Sequence, residues 1–227
     1  KFEGASYKTD SAARVIYEYY NGPKVIPYAE EFVKAVDKVD SGQLSVDDIL
    51  NPQGWVLLGF LSDPRTGLGR FRNFRVSNYQ LMEQLIDDCI NKTIDEILEC
   101  PDVMERIEIY KEQDALFREM VAKHTQIHGN VIVTDLRGVE TIYTGNRFAV
   151  YSMYPEQNVS MWIVDGRGKE NCPIAVGYSV LNRSCNVNIG SLMLKYGGGG
   201  HQQVGTCQVD YDKADKAIAE IIEALQE

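Results

Sequence analysis

The sequence changes texture at His128-Gly129, and that change limits the available folds more than any other feature. Upstream, apolar residues recur at helical spacing. Ala12, Ala13, Val15, Ile16 and Tyr19 follow the cap-forming Thr9-Asp10-Ser11, and Phe32, Val33, Val36 and Val39 mark a second helix from Pro27 to about Asp40. The stretch from Asn78 to about Thr125 is helical, and Cys100-Pro101 divides it into two helices, because the residue before proline is pushed out of the helical region. The buried run Trp55–Leu61 fits a strand or a helix. Downstream, Val131–Val133, Phe148–Tyr151, Met161–Val164 and Ile174–Tyr178 are short apolar or β-branched runs parted by turn residues, each read as a strand. A helix from about Val187 to Tyr196, a glycine run, a strand near Thr206–Val209 and a helix capped by Asp212 close the chain. Helices first, then strands mixed with helices, imply an α/β protein whose sheet lies in the C-terminal half.

Composition narrows the function classes. A chain of 227 residues with a net charge of −10 does not present an extended basic surface to long nucleic acid, because such binding relies on Lys and Arg neutralising many phosphates. A locally positive site for a small phosphorylated ligand stays compatible with that charge. No apolar run approaches the roughly 18 residues of a membrane-spanning helix, no secretory signal pattern occupies Lys1 to Gly22, and the chain does not begin with Met. Cys89, Cys100, Cys172, Cys185 and Cys207 have no metal-binding spacing and read as reduced thiols of a cytoplasmic protein.

Gly197-Gly198-Gly199-Gly200-His201 carries the most chemistry. Each glycine costs conformational entropy on ordering, so the run needs a reason. One is that bare backbone lets N–H groups converge on an anion as a nest, with His201, Gln202 and Gln203 adding donors. The other is a helix C-cap or a mobile tip. Arg183, at the end of a strand shortly before the same helix, tips the balance to the anion, since a guanidinium meets phosphate through paired hydrogen bonds.

Gly197 to Gly205 resembles the GGGH-x-x-A-A-G signature of the DHHA1 domain, which accompanies the catalytic domain of DHH-family phosphoesterases, among them RecJ-like nucleases, nanoRNases and exopolyphosphatase-related proteins. Arg183-Ser184 is similar to that family's S-x-R-S segment and Val187-Asn188-Ile189 to its helix start. Val204 stands where the first alanine is usual and Gly205 where the second is, which puts the close packing after His201 in question. Gly4 to Tyr20 resembles the helix after the Asp-His-His strand, and Asp63 to Phe71 resembles the D-P-R-T-G-L-G-R-F run of exopolyphosphatase-like members.

The resemblance implies a division into residues 1–100, the C-terminal portion of a DHH α/β domain; 101–125, a helical connection; and 126–227, a DHHA1 mixed-sheet α/β domain. It implies that Arg183, Gly197, Gly198, Gly199, Gly200 and His201 hold substrate phosphate. Asp63 would be a metal ligand, with Asp40, at the end of a helix, as the alternative. Two Mn²⁺ or Mg²⁺ ions, which take carboxylate oxygens, would activate water for phosphoester hydrolysis. Arg65, Arg70, Arg72 and Arg75 crowd beside Asp63, either as structural ion pairs or, Arg65 above all, as an entry for a polyanion. The histidines are His124, His128 and His201, and none belongs to an Asp-His-His triplet. The stretch is therefore expected to begin inside the catalytic domain and to be inactive by itself. His124 and His128, four apart, would share a helix face without forming a metal pair. The expected substrate is a short single-stranded oligonucleotide, a phosphorylated nucleotide or polyphosphate, with no membrane partner and a homodimer left open. The alternative is a non-catalytic nucleotide- or nucleic-acid-binding module in which Tyr178 and Tyr196 stack on bases.

Overall fold

Ser11, Ser45, Ser77 and Thr93 start helices by one chemistry: each hydroxyl accepts a hydrogen bond from the backbone N–H three residues on, satisfying a donor that the helix cannot. The structure, a computed structural model, describes residues 9–226, so Gly4-Ala5-Ser6 lies outside the described residues. The helices run α1 (Ala12–Tyr19), α2 (Gly22–Val25), α3 (Glu30–Asp40, entered through a 3-10 turn at Pro27–Ala29), α4 (Val46–Leu50), α5 (Gly54–Ser62), α6 (Asn78–Asn91), α7 (Ile94–Leu98) and α8 (Pro101–His124). Trp55–Leu61 resolves as helix α5, apolar on all sides, with Val56, Leu57, Leu58, Phe60 and Leu61 buried. The stretch after Asn78 holds three helices, not the two that the proline alone predicts. Thr93 and Glu96 form a reciprocal capping box that restarts the chain as α7 before the proline is reached.

The chain divides into two compact units, one reaching Asp114 and taking in Thr144–Asn146, the other made of Ala115–Tyr143 and the stretch from Arg147 onward. In the first unit, Leu57, Leu58, Leu61, Leu68, Leu81, Leu85, Ile97, Val103 and Tyr110 form one buried cluster.

The second unit is built on a six-stranded sheet of order β1-β2-β3-β4-β6-β5. Its strands are β1 (Thr125–His128), β2 (Val131–Asp135), β3 (Val159–Ile163), β4 (Asn171–Tyr178), β5 (Gly199–His201) and β6 (Val204–Asp210). Only β2 and β3 run parallel. A parallel pair needs a crossover, and that crossover converts the expected strand at Phe148–Tyr151 into helix α9 (Ala149–Met153). The Tyr151 hydroxyl then meets Ser160 Oγ at 2.7 Å. Helices α10 (Ile189–Leu194) and α11 (Ala214–Leu225) complete the unit. Asp212 does not cap α11; it lies in a 3-10 turn, Tyr211–Lys213, and no side chain caps the helix.

Alternation along the strands sorts the two sheet faces. Val131, Val133, Met161, Ile163, Ile174 and Val176 pack with Ile189 and Met193 of α10 and with Ile218, Ile221 and Leu225 of α11. On the other face Trp162 stacks on Phe117, ring centroids 6.3 Å apart. Among the described residues no helix is long and apolar enough to cross a membrane.

Candidate active site

The glycine run is not a uniform loop, and each position has its own reason. Gly197 adopts φ +75°, its N–H donates to Leu194 O at 3.1 Å, and the Gly198 N–H donates to Met193 O at 3.0 Å. This is a Schellman ending for α10, so the C-cap reading holds at Gly197. Gly198 and Gly200 answer to sterics. A Cβ on Gly198 would strike the Thr206 carbonyl oxygen and lie 2.7 Å from Cys207 Cα, and one on Gly200 would strike the Val204 carbonyl oxygen. Gly199 answers to neither: its φ is ordinary and a Cβ there would meet nothing within 4 Å.

Because those close approaches are allowed, Gly199–His201 pairs with β6 as an edge strand instead of curling into a nest. Amides of an extended strand alternate in direction, so the expected convergence of successive N–H groups is replaced within these three residues. The tip is not mobile chain. The Gln202 carbonyl accepts from the Ile189 N–H and the Gln203 carbonyl from the Tyr178 N–H, both at 2.9 Å. With its backbone pinned, the hairpin leaves His201, Gln202 and Gln203 exposed. The packing after His201 also survives the unusual residues: Val204 faces outward, while a Cβ on Gly205 would come within 2.8 Å of Met193 Cγ.

Arg183 is exposed, on the loop between β4 and α10, and its Nε donates to Val180 O at 3.3 Å. That loop is shaped by Ser179, whose Oγ accepts from the Leu181 and Asn182 N–H groups. Tyr178 and Tyr196 are not base-stacking platforms. Both pack against the core, the Tyr178 hydroxyl donating to Val187 O at 2.7 Å and that of Tyr196 to Glu220 at 3.2 Å. His124 and His128 do not share a helix face; they end α8 and β1 and line a groove of about 470 Å³. The cysteines are free, and burial, with Cys172 nearby, pushes the Cys207 thiol up to about 11.

In the first unit Asp63 ends α5 and lines a cleft of about 210 Å³ with Ser62, Leu68, Asn78, Tyr79 and Met82. Its carboxylate is gripped by Arg65, whose Nε and Nη2 each donate at 2.8 Å. Asp40 belongs to the same locality. Val39 packs on Gly59 of α5, and the Arg65 charge acts on Asp40 as well. Burial, then the like charge of Asp37, hold the Asp40 carboxyl above the usual carboxylate range, and Arg65 opposes them. Arg65 thus bonds Asp63 directly and acts on Asp40 only through its field. Among the described residues no group of three or more His, Cys, Asp or Glu could hold a metal ion. Asp63 and Asp40 therefore do not make a two-ion site by themselves.

The other arginines separate by role. Arg75 is structural: its guanidinium makes paired bonds of 2.8 and 2.7 Å to the buried Asp102. Arg72 is exposed, and Arg70 folds over Gly67. Sequence reasoning missed Arg106, which is 1% exposed. It sits 3.8 Å from the Phe74 ring centroid and donates to Val76 O and to Asn78 Oδ1. Burial lowers its pKa, with Glu105 and Asp102 opposing. Arg106 thereby fixes the start of α6, which forms one wall of the Asp63 cleft. Nothing in a charged helical stretch singles out this arginine.

Comparison with solved structures bears on both units. The chain is similar to a pGpG-specific phosphodiesterase, PggH, from Vibrio cholerae, with 47% identity, a TM-score of 0.82, and coverage of 96% of this chain and 74% of that one. An exopolyphosphatase-related protein from Bacteroides fragilis matches at 14% identity and a TM-score of 0.42, over 67% of this chain and 47% of that one. The DHH domain of a protein assigned to a family of ribosomal proteins matches at 14% identity and a TM-score of 0.49, over 93% of this chain and 52% of its own. No family model and no curated protein matches the sequence.

Proposed function

This chain belongs to the DHH/DHHA1 family of phosphoesterases, and from that premise we propose that it hydrolyses short 5′-phosphorylated oligonucleotides, with pGpG as the foremost substrate. The observation that carries this reading is 47% identity sustained over 96% of the chain with a phosphodiesterase of that specificity.

The hairpin geometry supports a phosphate-binding role for the second unit. Gly199 has no conformational or packing reason to lack a side chain, and it adjoins the exposed His201 on a pinned backbone. A surface left bare beside an imidazole lets an anion reach the main chain. Arg183 is the proposed second cation for the same phosphate. In the first unit Asp63 is the proposed carboxylate ligand of a Mn²⁺ or Mg²⁺ ion, and Arg65, bonded to that carboxylate in this structure, would be displaced by the ion toward substrate charge. Such an ion supplies Lewis acidity and activated water when bound. Reduced thiols and a nucleotide substrate suit the cytoplasm.

The test is an assay of the full-length protein with Mn²⁺ on pGpG, short RNA, 3′-phosphoadenosine phosphate and polyphosphate. Hydrolysis of pGpG foremost is expected. Gly199→Ala and His201→Ala should each lower kcat/KM at least about tenfold, the size of one lost charge-assisted contact, with unchanged melting. Asp63→Asn should weaken Mn²⁺ binding by calorimetry. Preference for polyphosphate, or full activity in both hairpin variants, would refute the reading.

A further inference from the structure

The cleft beside Asp63 holds polar groups whose hydrogen-bonding sense is already decided inside the protein. Asn78 lines it, and Arg106 donates to Asn78 Oδ1 through Nε at 3.2 Å and Nη2 at 3.1 Å. A guanidinium has only donors, so the amide cannot flip: the oxygen must face Arg106 and the NH₂ must face away. It lies toward Gly69, another lining residue, where a Cβ would be 3.5 Å from Asn78 Nδ2. No described residue accepts a bond from that NH₂. Ser62 shows the opposite sense. Its hydroxyl donates to Leu58 O at 2.8 Å, so only acceptor capacity remains for the cleft.

The remaining surface suits a flat apolar group. Leu61, Leu68 and Met82 line it, and Tyr79, in the first turn of α6, is 74% exposed at the same cleft. A large aromatic so exposed gains by covering its face, and bases stack on such rings with about 1–3 kcal/mol apiece.

We infer that the cleft formed by Tyr79, Asn78 and Ser62 is a guanine subsite, with Tyr79 stacking on the base, Asn78 Nδ2 donating to its O6, and Ser62 Oγ accepting from its N–H edge. Guanine presents O6 and N7 as acceptors, whereas adenine presents its N6 amino group as a donor beside N7. Against adenine, the fixed Asn78 donor meets the amino group, and the fixed polarity that welcomes one purine rejects the other. Arg106 is a positioning residue here: it never touches the base but sets which end of Asn78 does. The inference rests on the proposed oligonucleotide phosphodiesterase reading and adds to it the residues that choose the base.

The test compares pGpG with pApA in the full-length protein with Mn²⁺, and GMP with AMP in direct binding by calorimetry. Asn78→Asp keeps an oxygen for Arg106, so folding is retained while the donor is lost. It should cut kcat/KM for pGpG about tenfold, the worth of one hydrogen bond, towards that for pApA, and should erase the preference for GMP. Tyr79→Leu should raise KM for both dinucleotides, and Tyr79→Phe should restore it. Undiminished selectivity in Asn78→Asp, or equal treatment of both bases by the wild type, overturns the guanine subsite; the first leaves the whole phosphodiesterase reading standing, the second only dinucleotide hydrolysis without the pGpG preference. If the wild type cleaves no dinucleotide, that reading falls, and the calorimetric preference for GMP and its loss in Asn78→Asp decide the subsite alone.

Discussion

The glycine hairpin of the second unit and the Asp63 cleft of the first are held in place by different means. The hairpin is fixed by main chain: a Schellman ending at Gly197, side-chain-free approaches at Gly198 and Gly200, and two carbonyls of the tip bonded to backbone N–H groups. The cleft is fixed by charged side chains, with Arg65 on Asp63, Arg75 on Asp102 and Arg106 on Asn78. Main-chain positioning depends on what residues lack and tolerates no added atom where backbones approach, at Gly198 and Gly200. Side-chain positioning depends on what residues reach and responds to charge and pH.

The largest effect should come from adding one methyl group to the hairpin. Gly198→Ala places a Cβ against the Thr206 carbonyl oxygen and should cost about 3 kcal/mol or more in denaturant melts, since neither strand can withdraw. Gly199→Ala, one residue away, should fall within about 0.5 kcal/mol of wild type. Equal losses at both positions would break the distinction between packing glycine and binding glycine. Next in size is the cleft's clamp. Arg106→Met keeps much of the apolar stem but leaves Val76 O and Asn78 Oδ1 without their donor, and should cost about 2 kcal/mol. A melt indistinguishable from wild type would show that the guanidinium orders nothing.

The smallest effect sharpens the contrast through pH. Asp40 ionises at higher pH in the folded protein than in the unfolded chain, because partial desolvation of its carboxyl, on an otherwise exposed residue, and Asp37 disfavour its charge more than Arg65 favours it. Its favourable contribution is thus full below the unfolded carboxylate pKa of about 3.9 and is lost as pH rises past the folded value. Asp40→Asn removes that cost, so it should raise Tm at neutral pH by about 1 °C and leave it unchanged near pH 3. A shift of the same size at both pH values would contradict the cause.

The hairpin is legible without coordinates because its requirement is one of residue type: only glycine lacks a Cβ, and four in a row announce close approach or a ligand. What the sequence cannot apportion is which glycine serves which end. A Cβ on Gly198 would collide with Thr206 and Cys207, residues of a strand whose pairing register is not written in the run itself. Phe148–Tyr151 misleads for a related reason. Four apolar residues fit either period, and the parallel β2–β3 pair, with its obligatory crossover, makes them a helix. Arg106 is invisible because the partners it positions, Asn78 and Val76, lie 28 and 30 positions away, on a segment that reads as loop and helix cap.

By itself the sequence determined the α/β class, the helix start at Ser11, the helix ending at Asp40 (though it begins at Glu30, after a 3-10 turn at Pro27), the aspartate at the end of an apolar segment and the family signature around His201. These follow from local chemistry, where caps, periodicity and missing side chains act within a few residues. Tertiary structure alone decided that the run is an edge strand and not a nest, that Asp40 lies within the field of the Arg65 bonded to Asp63, and that a buried guanidinium orients Asn78. Each of those depends on groups distant in sequence meeting in space, and no pattern of neighbours encodes such a meeting.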